Sequence, residues 1–587
     1  MDLTRAFPEF DRRFFESHED FTLIGSGGLG GKAQGLARVK RMLETSWSPE
    51  RHPEFEVGIP RLTVLATDVF DRFLDENALR DVVRSGGSDD ETIARSFQRA
   101  SLPASVVGDL RGFVERVHRP IAVRSSSLLE DEAERPFAGV YATKMIPNNQ
   151  LDAESRFRRL TEAIKFVYAS TYFGGAKEYL AAAGGGMEEK MAVILQEVVG
   201  RRHGDRFYPD VSGVARSWNF YAASGARPEE GTATLALGLG KTIVDGGVAW
   251  SYSPAWPRAN PPVASARDLL DATQTRFWSV NMGAPPAYDP VVETEYLLPC
   301  GLAEAEEDGV LGPLASTYDR ESDRLRPGIG ARGARVLTFA PILVQGAPPL
   351  NDVVRAMLDL AETTWGAPME IEFAAALDEP RPGAARVGFL QARPLAVAPE
   401  TGAVTPESLA APGVVIASES VLGRGRSEEL ADVVFVRRQT FAPARSLEIA
   451  AEIERMNRAL LAAGRRYVLV GFGRWGSADP WLGIPVRWGQ ISGASVIVEA
   501  SLPGAEAAPS QGSHFFHNMT GAGVAYFTVR HTGHYAIDWA WLDAQPAVSE
   551  SAHVRHVRLA PPLVVETDGR SGRGVIRRAA PAPGDRP

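Results

Sequence analysis

Two short runs near the middle of the chain carry the residues best suited to chemistry. The first is Met369-Glu370-Ile371-Glu372-Phe373; the second is Val387-Gly388-Phe389-Leu390-Gln391-Ala392-Arg393-Pro394. In an extended strand, residues two apart point to one face. Glu370 and Glu372 then project together while Ile371 and Phe373 enter a core, and Gln391 and Arg393 share a face on the second run. Paired as a hairpin across the loop from Asp378 to Ala385, the runs place two carboxylates, an amide and a guanidinium on one surface. Hard oxygen ligands for Mg²⁺ beside a cationic phosphate clamp suit a nucleoside triphosphate. Taken alone, the same residues fit equally well an exposed strand face with a salt bridge.

Further cations stand at turns. Only seven of the 63 basic residues are lysines, yet Lys32 and Lys241 both sit in glycine-rich turns, where a compact ammonium suits phosphate. The run Gly25-Ser26-Gly27-Gly28-Leu29-Gly30-Gly31-Lys32 opens a helical pattern through Leu36, Val39 and Leu43. It offers backbone N–H groups and a lysine at a helix start, a phosphate cradle or simply a structural turn. No Ser or Thr follows Lys32 in the place a P-loop requires. Arg124 ends the strand-like Pro120–Val123 run and precedes Ser125, Ser126 and Ser127. It is a candidate phosphate contact, or a partner for the acidic stretch Glu130-Asp131-Glu132, itself read as a solvated face.

The elements that must position these residues are mixed. Strands are expected over Ile59–Leu65, Met191–Val199, Gly213–Tyr221 and Thr232–Leu239. Helices are expected from Thr67, over Leu160–Ala183, and over Asp352–Trp365 with Asp352 as N-cap and Gly366 as stop signal. An Ala/Pro/Gly-rich linker follows at 397–413. A second αβ unit has strands near Val414–Ser418, Val433–Val436, Tyr467–Gly471, Ser495–Glu499 and Val524–Val529, and a helix over roughly Ala442–Ala463. The 587 residues are too many for one core. The net charge of −10 and the lack of a basic stripe argue against a nucleic-acid partner. The lone Cys300 excludes a cysteine-rich metal site. No apolar run is long enough for a bilayer span and no signal-peptide core is present, so no membrane and a cytoplasmic location are expected.

The order of these pieces resembles the ATP-binding domain of the phosphoenolpyruvate synthase and pyruvate phosphate dikinase family. The pieces are a glycine-rich lysine loop, strand-Arg-Ser-Ser, Phe137-Ala138-Gly139, a buried strand ending in Gln196, Gly238-Leu239-Gly240, the Glu-x-Glu strand and the Gln-x-Arg-Pro strand. The resemblance implies an α+β chain: an ATP-grasp-like nucleotide-binding module over 22–396, after an N-terminal extension at 1–21. A smaller C-terminal αβ domain at 414–567 and a disordered tail at 568–587 would follow. It implies that Lys32 and Arg124 contact the ATP phosphates and that Glu370 and Glu372 bind Mg²⁺ and nucleotide. Gln391 and Arg393 would complete the phosphate site, and the segment Gln196, Glu197 to Val199 would border the adenine.

Departures bear on function. Lys241 stands where the family usually carries Glu after Gly-Leu-Gly. None of the ten histidines lies in the family's Gly-Gly-x-Thr-Ser/Cys-His phosphohistidine motif, and the chain is too short for the pyruvate-binding barrel. In their place stand two dense segments, Gly471 to Gly483 around Arg474 and Pro509 to Asn518 around His514 and His517. They resemble the C-terminal region of a bacterial subgroup described as phosphoenolpyruvate-synthase-like. Arg474 is a candidate anion clamp, and His514 a candidate phosphoryl carrier or general base, against a structural role at a turn. The expectation is an ATP- and Mg²⁺-dependent phosphotransferase in which Lys32, Arg124 and Arg393 neutralise the transferring group, with the acceptor unidentified. The alternatives are a non-catalytic ATP sensor or regulatory protein and a degenerate scaffold.

Overall fold

The computed structural model describes residues 8–12, 21–84, 89–127, 130, 139–182, 189–220, 227–258, 269–270, 273–346, 348–377, 384–395, 404–477, 479–501, 515, 519, 523–531, 533–569 and 571–579. Helix takes up 31% and strand 33%, an α+β composition. The chain divides into two compact units. The first comprises Met1–Ser217, Gly231–Ile243 and Val248–Leu395; the second comprises Trp218–Glu230, Val244–Gly247 and Ala396–Pro587. No helix among the described residues is long and apolar enough to cross a membrane.

Two sheets of the first unit carry the candidate residues. One contains β1 (Phe21–Ile24), β3 (Leu62–Leu65), β4 (Ile121–Ser127), β5 (Thr143–Ile146) and β6 (Met191–Glu197), in the order β1-β3-β6-β4-β5. The other contains β2 (Phe55–Gly58), β7 (Val211–Arg216), β8 (Thr232–Ala236), β9 (Trp250–Tyr252), β10 (Met369–Ala376) and β11 (Ala385–Pro394), in the order β9-β8-β7-β10-β11-β2. The expected hairpin is present: β10 and β11 are antiparallel, with Glu370 opposite Arg393 and Glu372 opposite Gln391. The register then shifts, because Phe373 faces Phe389 and leaves Leu390 as an extra residue in β11. This β-bulge bends the strand and releases a carbonyl from the ladder.

Helix α1 (Gly31–Ser46) packs against both β4 and β11. Its buried Ala33, Leu36, Ala37, Val39 and Met42 follow the helical period. Gly30 sets its start: φ is +73°, and a Cβ there would lie 1.8 Å from the Ser126 carbonyl oxygen. The Ser126 hydroxyl donates to the Leu29 carbonyl at 2.9 Å and accepts from the Ala33 N–H at 3.0 Å, tying the helix start to β4.

Helix α2 (Thr67–Glu76) begins where expected, whereas the single helix read over Leu160–Ala183 is two, Ala153–Ser170 and Gly174–Ala182. The break falls at Thr171, whose N–H pairs with Tyr168 three residues back. Helix α3 (Leu350–Trp365) stops at Gly366, which is left-handed at φ +66°. Asp352 is not its N-cap; the helix starts two residues earlier, after Pro349, and Asp352 lies in the first turn, where its charge complements the helix dipole.

The second unit is built on a nine-stranded sheet. Its strands include β12 (Val414–Ser418), β13 (Val421–Leu422), β14 (Arg424–Val436), β15 (Tyr467–Phe472), β16 (Ala494–Ala500), β17 (Ala525–Val529), β18 (Val554–Asp568) and β19 (Arg573–Arg578). The order is β12-β19-β18-β14-β15-β16-β17-β13, with Ala547–Glu550 also paired to β18. Strands β14, β15, β16 and β17 are mutually parallel. Helix α4 (Ser446–Ala462) crosses over between β14 and β15. The tail expected to be disordered from 568 instead supplies β19: Val575 and Ile576 are fully buried between β12 and β18, and burial outweighs the flanking glycines and arginines. The segment read as a linker carries a short helix, Pro406–Leu409.

Gly30 provides a test of how β4 and α1 are joined. Gly30→Ala requires both a left-handed φ and displacement of backbone, so it is expected to cost at least about 2 kcal/mol in urea unfolding. An unchanged midpoint would show that the Ser126 contact gives way freely.

Candidate functional site

The centre of the site is a carboxylate without access to water. Glu370 is 1% exposed and lies between Arg216, the last residue of β7, and Arg393 of β11, both 4% exposed or less. Arg216 Nε donates to Glu370 Oε2 at 2.5 Å; Arg393 Nη2 and Nε donate to Oε1 at 2.6 and 2.9 Å. Burial pushes the Arg216 guanidinium below its ordinary pKa, and Glu370 pulls it back up. Such a triad holds because each charge is paired; removal of one partner strands the others.

Two residues further along β10, Glu372 meets Arg124. Arg124 crosses from β4 to the second sheet: Nη1 donates to Gln196 Oε1 at 3.1 Å and to the Leu390 carbonyl at 2.6 Å, and Nη2 donates to Gln391 Oε1 at 3.1 Å. Glu372 Oε2 is 3.5 Å from Nη2. The bulge at Leu390 is what frees that carbonyl. Among the described residues Arg124 does not pair with Glu130, one of the acids that follow it in the chain; Asp131 and Glu132 lie outside the described residues.

Glu130 serves Lys32 instead. Glu130 is 1% exposed, not part of a solvated face; its Oε1 accepts from Lys32 Nζ at 2.6 Å and from the Ser125 hydroxyl at 3.0 Å. Its Oε2 accepts from the Ser127 N–H at 2.9 Å. Burial of Glu130 is tolerated because donors from β4 and α1 surround it. The first part of the glycine run is structural. The Ser26 and Gly27 N–H groups donate to Asp68 Oδ1 at 2.9 Å each, and the Gly28 N–H donates to Thr67 Oγ1 at 2.9 Å. The start of α2 occupies these three donors.

The remaining candidates are distributed around this centre. Gln196 is 2% exposed; its Oε1 is taken by Arg124, and its Nε2 has no hydrogen-bond partner among the described residues. The Glu197 and Val198 N–H groups are bonded to the Arg61 and Pro120 carbonyls at 2.9 Å each, and Val199 is buried. Lys241 follows β8 at the end paired with Ser212, four residues along β7 from Arg216, about 13 Å at strand spacing. His514, His517, Phe137 and Ala138 lie outside the described residues. Reading the sequence missed Arg216 and Glu130. Arg216 had a signal, since it is the one arginine inside the strand expected over Gly213–Tyr221, which the structure ends at Arg216 itself; Glu130 had none, because its burial depends on β4 and α1 meeting.

A separate cavity of about 630 Å³ is lined by Glu9, Asp68, Asp71, Asp109 and Arg72, among others. Four carboxylates against one arginine do not suit a triphosphate, and no residue of the Arg124 cluster lines it.

Arg216→Met tests the buried triad. It leaves Glu370 with one partner and is expected to destabilise by about 3–5 kcal/mol, read as the free energy of urea unfolding. A loss under about 1 kcal/mol would mean that water or rearrangement satisfies Glu370.

No curated protein matches the chain. Residues 27–410 match the family described as pyruvate phosphate dikinase, AMP/ATP-binding domain. That span includes every residue of the Lys32, Arg124 and Glu370 clusters. The fold, the site and this match agree: the chain belongs to the pyruvate phosphate dikinase AMP/ATP-binding family and carries its phosphotransferase-type ATP-binding domain.

Proposed function

We propose that the chain binds ATP with its triphosphate against Lys32 and Arg124 and transfers a phosphoryl group to an acceptor. The observation that carries this reading is the half-satisfied Arg124–Gln196 pair. A buried amide donor without a partner, beside an arginine held by two glutamine oxygens and a peptide carbonyl, is a site prepared for an acceptor-rich ligand. Lys32 and Arg124 are each more than four-fifths buried, so their attraction for phosphate is little screened by water.

The donor set also bears on Mg²⁺. Among the described residues no three His, Cys, Asp or Glu side chains cluster as a metal cage. Mg²⁺ on a nucleotide needs only one or two carboxylates besides phosphate and water. Glu372 fits: its one described ion pair is long, 3.5 Å, and its side chain is 16% exposed. Glu370 fits less well, because both oxygens already accept from guanidinium groups. In this proposal Glu372 holds the metal, with Gln391 beside it, and Glu370 fixes Arg393 and Arg216 in place. Bound there, Mg²⁺ supplies charge neutralisation on the phosphate oxygens.

The residues of the chain then divide the work. Arg124 releases Glu372 and turns its free donors to the transferring phosphoryl group; Lys32 exchanges Glu130 for a phosphate oxygen. Both shifts replace a carboxylate by another anion without moving a charge out of the site. The nucleophilic atom of the acceptor attacks phosphorus in line and gives up its proton to solvent, and the nucleotide leaves with the electron pair of the broken P–O bond.

Incubation with γ- and β-labelled ATP and Mg²⁺ tests the proposal. Wild type is expected to release or transfer label, and Arg124→Gln and Glu372→Gln to slow this by about 100-fold or more while melting normally. Intact mass spectrometry then reports whether the label stays on the chain. No turnover by wild type, or turnover equal to that of Glu372→Gln, overturns the reading.

A further inference from the structure

The second unit contains a buried arginine that the nucleotide site does not use. Strands β15, β16 and β17 run parallel, and ligands of such sheets bind beyond the carboxyl ends of the strands. At that end Arg474 follows β15 and is 7% exposed, while Glu499, near the end of β16, is 4% exposed. Tyr526 of β17 donates its hydroxyl to Glu499 Oε2.

The turn that carries Arg474 is tightly built. The Trp475 indole donates to the Val498 carbonyl at 3.2 Å and lies over Gly471, where a Cβ would be 2.4 Å from its ring. The Arg474 N–H donates to the Leu482 carbonyl at 2.9 Å. Its Nη1 donates to the carbonyls of Gly246 and Gly247, 3.0 and 3.2 Å away, within the segment Val244–Gly247 that belongs to this unit. Among the described residues the other edge of the guanidinium has no partner: Nε is buried and unpaired, and the hydrogen bonds are all made by Nη1. The Nε–Nη2 edge is the fork that binds a planar oxyanion through two parallel hydrogen bonds.

We propose that the carboxyl ends of β15 and β16 form a second ligand site, for a small organic carboxylate, with the unpaired fork of Arg474 receiving the carboxylate and Glu499, held by Tyr526 from the start of β17, facing the rest of the ligand. Among the described residues no ion pair joins Arg474 to Glu499, whose carboxyl group is held by Tyr526 instead. The charge count favours a monoanion. One guanidinium beside one carboxyl group matches a carboxylate, whereas a phosphate dianion would meet a surplus of negative charge. Burial raises the Glu499 pKa to about 7, with Tyr526 and Arg474 the titratable groups acting on it and both lowering it. Below that pH Glu499 is neutral and donates a hydrogen bond; above it, its charge opposes the incoming anion. The site is independent of nucleotide.

Thermal melting of the full chain without nucleotide, at about pH 6 and about pH 8, tests this with acetate, glycolate, malonate and inorganic phosphate as probes. At least one carboxylate is expected to raise the melting temperature saturably, and more tightly at the lower pH. Arg474→Gln should weaken that binding at least about tenfold, Arg474→Lys should restore it only in part, and Arg124→Gln should leave it intact. Glu499→Gln, which keeps the shape of the site, should abolish the pH dependence; it carries the test if Arg474→Gln does not fold. The proposal is overturned if no carboxylate stabilises the protein, if phosphate alone does, if the effect survives Arg474→Gln, or if it is lost in Arg124→Gln.

Discussion

A carboxylate removed from water must be neutralised where it stands, and the geometry of the nucleotide site follows from meeting that demand at Glu370. Desolvation of an ion costs several kcal/mol unless charged donors surround it. Here they come from the strands on either side, Arg216 from β7 and Arg393 from β11. A one-residue slip of either neighbour would turn its arginine to the opposite face. The ion pairs therefore lock three strands in register. With that register set, Glu372 and Gln391 stand opposite each other, and the arginine from the other sheet has something to hold.

In the proposed site the charge that meets an anion is carried on side chains. In many phosphate sites a glycine-rich turn points its N–H groups at the ligand. Here Thr67 and Asp68 accept those hydrogen bonds, and the turn works as a splint that fixes the start of α1 against β4. Positive charge then arrives on the two longer side chains, Lys32 and Arg124, each resting on a carboxylate. An ammonium or guanidinium so held is pre-oriented, and exchanging its carboxylate for a phosphate changes the net charge of the interior little.

Period-two alternation made the Glu-x-Glu and Gln-x-Arg strands readable, because one sheet face is buried and the pattern is local. The same held for α1, α2, α3 and five strands of the second unit, where apolar runs are bounded by turns. What stayed hidden depends on partners distant in the chain. Glu130 reads as a surface acid until Lys32, nearly 100 residues earlier, is placed beside it. Arg216 reads as an unremarked polar residue inside a strand until Glu370 is paired to it from 154 residues away. Strands β18 and β19 were missed for another reason: prolines within β18 and glycines around β19 are turn residues, and only burial in a nine-stranded sheet overrides them.

The bulge at Leu390 also limits how this part of the chain can vary in length. Because side chains alternate faces, the one extra residue in β11 lets Phe389 enter the core while Gln391 and Arg393 still reach the site. Removal of Leu390 would straighten the strand and still leave Phe389 and Gln391 on opposite faces, but it would take away the carbonyl that Arg124 holds at 2.6 Å. Insertions in the loop between β10 and β11 carry no such penalty, since they leave both strands in phase. The hairpin thus combines a connection free to lengthen with a strand whose extra residue is kept for the carbonyl it gives Arg124.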